Sequence, residues 1–149
     1  MGRPPAGIAT VRRVRAIGLD VGDKTVGIAV SDELGITAQG VSTLERKNLR
    51  ADLDHLNALC RERGVSQLVV GLPLNMDGSE GPRAATSRKF GDALAAQTGL
   101  PVIYQDERLS TAAAQRVLLE ADVSRGKRKK VVDKLAAQLI LQAWLDARS

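Results

Sequence analysis

The stretch AIGLDVGDKTVGIAVSD, residues 16–32, predicts how the fold begins. Two apolar runs, at residues 16–19 and 26–30, flank a Gly-Asp-Lys turn, a pattern typical of two strands joined as a hairpin. Asp20 stands at the end of the first run. A buried carboxylate is costly unless a cation or a hydrogen-bond donor accompanies it, so Asp20 needs a structural or functional partner.

Strand and helix patterns alternate after the hairpin. They predict a third strand at 37–44, a helix from Leu49 to Arg63, a buried strand at 67–73, a helix from Pro82 to about Gln97, a buried strand at 102–105, a helix from Ala112 to about Glu120 and a last helix from about Val131 to Ala147. Because parallel strands require crossover connections, which the helices supply, we expect an α/β domain with helices packed on a mixed sheet. Residues 1–13 lack such a pattern, so we expect a disordered basic tail followed by a single domain at 14–149.

Composition restricts the classes of protein to which the chain can belong. A hydrophobic fraction of 44% with 26% charged residues is ordinary for a globular domain. No apolar run approaches the roughly 20 residues that span a bilayer, and the N-terminus lacks the apolar stretch of a signal peptide. We therefore expect a cytoplasmic protein without a membrane partner. Cys60 is the only cysteine, which excludes an internal disulfide and a cysteine-based zinc site.

Positive charge is concentrated in two segments of the chain. The net charge is +5, of which residues 1–15 carry +4 and residues 124–130 carry +5, so the remainder carries −4. Basic segments on a mildly acidic body indicate a polyanionic partner, most commonly nucleic acid. We expect the second segment to be a loop that engages phosphates through Arg125, Lys127, Arg128, Lys129 and Lys130. The alternative is a solvated loop without a ligand.

Acidic residues stand where the apolar pattern predicts burial or a strand end. Asp20 ends the first strand, and Asp106 and Glu107 follow the last strand. Asp133 lies on the apolar stripe of the last helix, at helical spacing from Ala136, Ala137, Ile140, Leu141 and Trp144. Carboxylates that converge without basic partners repel one another unless a cation joins them, and oxygen ligands favour Mg²⁺ or Mn²⁺. The pattern therefore predicts a divalent-metal site suited to phosphodiester hydrolysis.

The residues alone leave two questions about these acids open. Spacing does not decide whether Asp106 or Glu107 joins the site. Asp20 and Asp133 have a structural alternative as well, in which each pairs with a nearby base such as Lys24, Arg108 or Lys134.

Other site chemistries fit the sequence less well. The glycines of the hairpin suggest a phosphate cradle, but their spacing is neither that of a dinucleotide site nor that of a P-loop. The serines have no candidate histidine to activate them, because His55 falls off the apolar stripe of its helix and is expected at the surface.

Four segments carry a resemblance to a known family. They are GLDVGDKTVGIAVSD at 18–32, VVGLPLNMDGSEGP at 69–82, DERLST at 106–111 and VDKLAAQLILQAWL at 132–145. In this order they resemble the YqgF/RuvX family of Holliday-junction-resolvase-like proteins, which is described as nucleases for the precursor of 16S ribosomal RNA. The family often has Arg where this chain has Lys24 or Thr25, and Tyr or Phe in place of Trp144. Neither difference affects the acids.

The resemblance implies a ribonuclease-H-like fold, with a mixed five-stranded sheet of an antiparallel meander and two parallel strands, flanked by helices. It implies that Asp20, Glu107 and Asp133 are the catalytic, metal-binding residues, so that glutamate rather than Asp106 is the ligand. We expect Lys24 and Arg108 to join the basic segment in binding phosphates.

The expected function is therefore Mg²⁺- or Mn²⁺-dependent cleavage of structured RNA, most simply the 16S ribosomal RNA precursor. Branched DNA, such as a Holliday junction or a flap, is the alternative substrate. A non-catalytic module that binds RNA or the ribosome-assembly machinery is the alternative of a different class. The third alternative, ATP binding as in actin and sugar kinases, is disfavoured because those proteins need two such domains. Resolvases act as dimers on a two-fold junction, which leaves a homodimer open, although no segment of the sequence predicts a dimer interface.

Overall fold

The computed structural model describes residues 14–109 and 125–148, with side chains for all of them except Leu109 and residues 125–133. The predicted N-terminal tail and the helix predicted from Ala112 lie outside these residues.

One five-stranded sheet forms the centre of the described structure. Its strands are β1 (Ala16–Val21), β2 (Thr25–Ser31), β3 (Ala38–Glu45), β4 (Gln67–Leu72) and β5 (Val102–Asp106), in the order β3-β2-β1-β4-β5. The first three strands form an antiparallel meander, and β4 and β5 run parallel to β1. This is the mixed sheet that the sequence predicts.

Three helices and a short turn complete the described elements. The helices are α1 (Leu49–Arg63), α2 (Pro82–Thr98) and α3 (Arg125–Arg148), and Glu107–Leu109 forms a single 3₁₀ turn after β5. None of these helices combines the length and apolar composition that a bilayer crossing requires.

Local sequence signals explain where the first two helices begin and end. The Asn48 side chain caps α1 by accepting a hydrogen bond from the Ala51 N–H at 2.8 Å, and Gly64 ends the helix at φ 65°, a left-handed conformation that favours glycine. Pro82 lies in the first turn of α2, where a backbone N–H has no partner within the helix and its absence therefore costs nothing. Gly99 ends that helix in a left-handed conformation, as Gly64 ends α1.

The two faces of the sheet bury different kinds of side chain. On one face, Ile17, Leu19 and their neighbours pack against α1 and α2 in a core of large aliphatic residues. On the other face, α3 packs on small residues. Those in this second core are Ala16, Ala29 and Ala38, and Gly18, Gly40 and Gly71 also lie directly beneath the helix. These small residues allow α3 to approach the strands closely.

The structure corrects two sequence predictions. Residues 125–130 of the basic segment, predicted as a loop, lie within α3, so this helix includes residues that precede its predicted start near Val131. Lys and Arg are good helix formers, and the cost of Gly126, about 1 kcal/mol, does not end a helix of this length. The strand predicted as buried at 102–105 is β5, at the edge of the described sheet, and Ile103 there is 41% exposed.

Candidate active site

Two of the predicted acidic residues lie at the same edge of the sheet. The strands β1, β4 and β5 run in one direction, so their carboxyl ends meet at a common edge. Asp20 lies near the end of β1, and Glu107 follows β5 in the 3₁₀ turn. Their side chains are only 6% and 7% exposed. The edge therefore holds two carboxyl groups that are almost fully withdrawn from bulk water.

Both carboxyl groups belong to the face of the sheet that α3 covers. Side chains alternate along a strand, so Asp20 points to the same side as Gly18, above which Leu141 of α3 lies. Glu107 lies on the same face, because its carboxyl group packs beside Gly71. A Cβ placed on that glycine would lie 2.9 Å from Glu107 Oε1 and 2.5 Å from Ile140 Cδ1 of α3. Asp20 and Gly71 are the residues that directly follow Leu19 and Val70, the last pair between β1 and β4. The fold thus directs both carboxyl groups to one small region of one face.

Helix α3 approaches this region with its N-terminal half. Lys134 lies above Gly40, whereas Gln142, two turns later, bonds the backbone of Ala38 and Ile36 at the start of β3. Because β3 and β1 run in the same direction, α3 travels from the carboxyl edge toward the opposite edge.

Asp133 belongs to the part of α3 nearest the carboxyl edge. It precedes by one turn Ala137, whose carbonyl oxygen lies 3.0 Å from a Cβ placed on Gly18. Ala137 lies over Gly18 of β1. One turn earlier on the helix, the backbone of Asp133 therefore lies nearer to the end of β1 that carries Asp20. The Asp133 side chain itself lies outside the described residues, so its part in the site stays a prediction.

The oxygen atoms of the carboxyl groups at this edge are suitable ligands for a hard divalent cation. Asp20 and Glu107 offer only oxygen atoms, the ligand type that Mg²⁺ and Mn²⁺ prefer. Gly71 has no side chain, and Glu107 Oε1 and Ile140 Cδ1 occupy the space that a Cβ there would need. Among the side chains described, no three acidic, histidine or cysteine residues form one group. The described part of the chain thus contributes two carboxylates, and the side chain of the third predicted ligand, Asp133, lies outside the described residues.

The structure separates Asp106 from Glu107, which spacing alone does not. The Asp106 side chain is 19% exposed, and its carboxylate accepts hydrogen bonds from Arg108 Nε at 3.1 Å and Arg108 Nη2 at 2.8 Å. These bonds hold the pKa of Asp106 below its ordinary value, so at neutral pH the carboxylate is ionised and paired with Arg108. Glu107, by contrast, is buried on the face under α3. Of the two neighbouring acids, only the glutamate is placed to share a site with Asp20.

The predicted phosphate-binding residues have different surroundings. Lys24 is exposed in the turn between β1 and β2, at the carboxyl edge. Arg108 lies at the same edge, but its guanidinium binds Asp106 and the Met76 carbonyl oxygen, at 3.2 Å from Nη1. The basic residues from Arg125 to Lys130 lie on the first turns of α3, and their side chains are outside the described residues. Phosphate binding by these residues stays a prediction.

The sequence analysis did not predict an ion pair that holds the turn after Asp20. Asp52 is 1% exposed and forms an ion pair with Arg46, whose Nε lies 3.3 Å from Asp52 Oδ2. Arg46 also bonds the turn that follows Asp20, through Nη1 to the Gly22 carbonyl oxygen at 3.0 Å and through its backbone N–H to the Lys24 carbonyl oxygen at 2.8 Å. The available signal was that Asp52 occupies the apolar stripe of α1, as Asp133 does on α3.

Comparison with known proteins assigns the family. The family model described as RuvX, Holliday junction resolvase, matches residues 14–147, almost the whole chain. The chain belongs to the RuvX family. Curated relatives from Myxococcus xanthus and Symbiobacterium thermophilum are 60% and 57% identical, over 134 and 136 residues. The alignments cover 90% and 91% of this chain and 89% and 94% of the relatives. Both relatives bear the name "Putative pre-16S rRNA nuclease".

A solved structure supports the fold assignment of this RuvX family member. The chain is similar to T. thermophilus RuvC, solved in complex with a Holliday junction substrate, with a TM-score of 0.58 at 11% identity. The match covers 91% of this chain and 97% of RuvC. The family resemblance and the ribonuclease-H-like fold predicted from the sequence are thereby confirmed, and the nuclease assignment is supported.

Proposed function

We propose that the chain is a divalent-metal-dependent nuclease that cleaves the precursor of 16S ribosomal RNA. The observation that carries the proposal is the placement of Asp20 and Glu107, two buried carboxyl groups, on one face at the carboxyl edge of the sheet. The names of the curated relatives supply the substrate.

Each residue has a defined part in this proposal. Asp20, Glu107 and, from α3, Asp133 would hold Mg²⁺ or Mn²⁺. When bound, such a cation supplies positive charge that activates water and stabilises the negative charge developing on the phosphate. Lys24 and the basic first turns of α3 bind backbone phosphates and thereby orient the strand for cleavage. The buried setting of the two carboxyl groups strengthens every electrostatic interaction made there, because little water screens it.

Cleavage of branched DNA is the second candidate function. The description of the family model, Holliday junction resolvase, favours it. The same carboxylates would serve either substrate, since phosphodiester hydrolysis needs the same groups in both. Only comparison of substrates separates the two.

The test is cleavage of a substrate panel by the wild type and by two matched variants. The panel contains precursor 16S ribosomal RNA, a four-way DNA junction, a flap and single strands, each with EDTA, Mg²⁺ or Mn²⁺. Asp20→Asn removes a charge from the site, and Asp23→Asn removes one from the exposed turn three residues later. We expect Asp20→Asn to lower the cleavage rate by about 100-fold or more, and Asp23→Asn to leave it nearly unchanged.

The outcomes separate the candidates. Preference for the ribosomal precursor supports the proposal, whereas preference for the four-way junction supports resolvase activity. A metal-dependent rise in the melting temperature of the wild type that is absent in Asp20→Asn would locate the cation without relying on activity. Equal cleavage by the wild type and Asp20→Asn would refute the site, and binding without any cleavage would leave a non-catalytic module.

A further inference from the structure

Met76 is an apolar side chain held almost completely in water. It is 96% exposed, whereas the other exposed large apolar residues among those described range from 38% to 62%. Single exposed apolar residues are common on protein surfaces, so exposure by itself indicates nothing. Two features distinguish Met76 from an ordinary surface residue. Its loop is held in one conformation by hydrogen bonds, and that loop lies at the carboxyl edge of the sheet.

The loop that carries Met76, residues 73–81 between β4 and α2, is closed by its own hydrogen bonds. The Asn75 N–H donates to the Ser79 carbonyl oxygen at 2.9 Å, and the Gly78 N–H donates to the Asn75 carbonyl oxygen at 2.9 Å. The Asp77 carboxylate accepts from the Ser79 hydroxyl at 2.6 Å. Gly78 has φ 89°, which a residue with a side chain rarely adopts. The loop is therefore a defined hairpin with Met76 near its tip.

This hairpin is fastened to the chain segment that carries Glu107. It follows the carboxyl end of β4, between the ends of β1 and β5. Arg108, directly after Glu107, donates from Nη1 to the Met76 carbonyl oxygen and lies against Gly78. The ion pair of Arg108 with Asp106, directly before Glu107, fixes the guanidinium. The backbone of Met76 is thus bound to Arg108, which follows Glu107, and Arg108 is held in turn by Asp106, which precedes it.

We propose that Met76 contacts a nucleobase of the bound substrate, next to the phosphate that is cleaved, and separates that base from its neighbour in the stack. This inference rests on the proposed nuclease function and adds a base contact to it. Nucleic-acid-binding proteins insert apolar side chains, methionine among them, between base steps, and a thioether packs favourably on aromatic rings. The cations at the edge bind phosphates, which are alike in every sequence. Met76 supplies the contact that depends on the base.

The test compares Met76→Ala with Met76→Leu, and with Leu34→Ala as a matched control. Leu34 is 56% exposed and lies between β2 and β3, at the opposite edge of the sheet. On the preferred substrate of the panel, we expect Met76→Ala to lower kcat/KM by about 2- to 10-fold. Met76→Leu and Leu34→Ala should stay near the wild-type value. A further set of substrates lacks a single base at successive positions around the cleaved bond. At one of these positions, we expect the wild type to cleave the abasic substrate only as fast as Met76→Ala cleaves the intact one.

A second measurement reads the base contact without cleavage. In the Asp20→Asn background, binding of stem-loop RNA probes, each with one 2-aminopurine at a successive position, should raise fluorescence at one position by unstacking. Met76→Ala in that background should abolish the rise. A fluorescence rise that depends on Met76, with no cleavage of any substrate by the wild type, would refute the nuclease proposal and keep the base contact. Normal cleavage and an unchanged rise in Met76→Ala would overturn the inference. An effect of Met76→Ala on self-association alone would also overturn it.

Discussion

Gly71 is the residue at which the packing of the fold and the chemistry of the site meet. It lies beneath α3, where a Cβ would approach Ile140 Cδ1 to 2.5 Å and Glu107 Oε1 to 2.9 Å. Gly18 is its counterpart on β1, where a Cβ would approach Leu141 Cβ to 2.7 Å and the Ala137 carbonyl oxygen to 3.0 Å. The first glycine borders movable side-chain ends, one of which is the candidate ligand. The second borders atoms that the helix backbone fixes.

This difference predicts opposite consequences for two identical substitutions. Gly71→Ala should cost only about 1 kcal/mol of unfolding free energy, because Ile140 can turn aside, but it should lower cleavage by about 10- to 100-fold by displacing Glu107. Gly18→Ala should cost about 2–3 kcal/mol, because the helix itself must move, with a smaller loss of activity per folded molecule. Urea unfolding and single-turnover cleavage measure the two quantities. Full activity in Gly71→Ala would contradict the assignment of Glu107 to the site.

At the scale of elements, the connection between β3 and α1 braces the turn after Asp20. Arg46 joins three parts of the molecule: the Asp52 carboxylate on α1, the backbone of the turn at Gly22 and Lys24, and the ring of Phe90 on α2, 5.2 Å from the guanidinium carbon. The pair is buried on the side of Asp52 and 20% exposed on the side of Arg46. Removal of one partner leaves the other charge poorly solvated.

Asp52→Asn should therefore destabilise the protein by about 2–3 kcal/mol, below the range for a fully buried pair because Arg46 retains some contact with water. We also expect slower cleavage, since the turn after Asp20 loses part of its support. Glu80→Gln is the matched control, because it neutralises the acid of an exposed pair whose side chains are 43% and 41% accessible. Exposed pairs contribute little, so thermal unfolding of this control should be close to that of the wild type. Equal stability of the two variants would show that Arg46 does not depend on Asp52.

At the scale of the whole molecule, α3 brings positive charge toward the edge that holds the carboxyl groups. The helix runs from that edge to the opposite one, and about 13 Å of it precede Lys134. Five cationic residues lie on these first turns. Like charges three or four residues apart on a helix repel one another, so their concentration there is unfavourable for the helix alone. A polyanion bound at this end would offset that cost.

The salt dependence of binding tests this arrangement with two double variants of equal charge. Lys129→Gln with Lys130→Gln should reduce the slope of log affinity against log salt by about 1.4–1.8, since each lost phosphate contact removes about 0.7–0.9. Arg61→Gln with Arg63→Gln, at the C-terminal end of α1 on the opposite edge, should leave the slope unchanged. Fluorescence anisotropy between about 50 and 200 mM salt measures it. Equal slopes for both pairs would assign the effect to net charge alone.

Local signals predicted most of the described fold because each of its elements carries its own pattern. The glycine after α1 and the proline of α2 marked helix ends correctly, and the apolar run of β4 identified a strand buried on both faces. The start of α3 was predicted wrongly, since charged residues are compatible with both loop and helix. The apolar stripe shows the limit of pattern reasoning: Asp52 and Asp133 carry the same signal, yet Asp52 forms an ion pair that supports the structure.

The sequence by itself indicated the family, through the resemblance of four segments, and it predicted most of the described elements and the acids that can form a site, because these depend on residue types and their spacing along the chain. Tertiary structure decided which acids share a face. Glu107 lies 87 positions after Asp20, and only the parallel pairing of β1, β4 and β5 brings both to one edge. It also paired Asp106 with Arg108 and packed the Glu107 carboxyl group against Gly71. Side-chain direction depends on register and packing, and these are properties of the folded sheet.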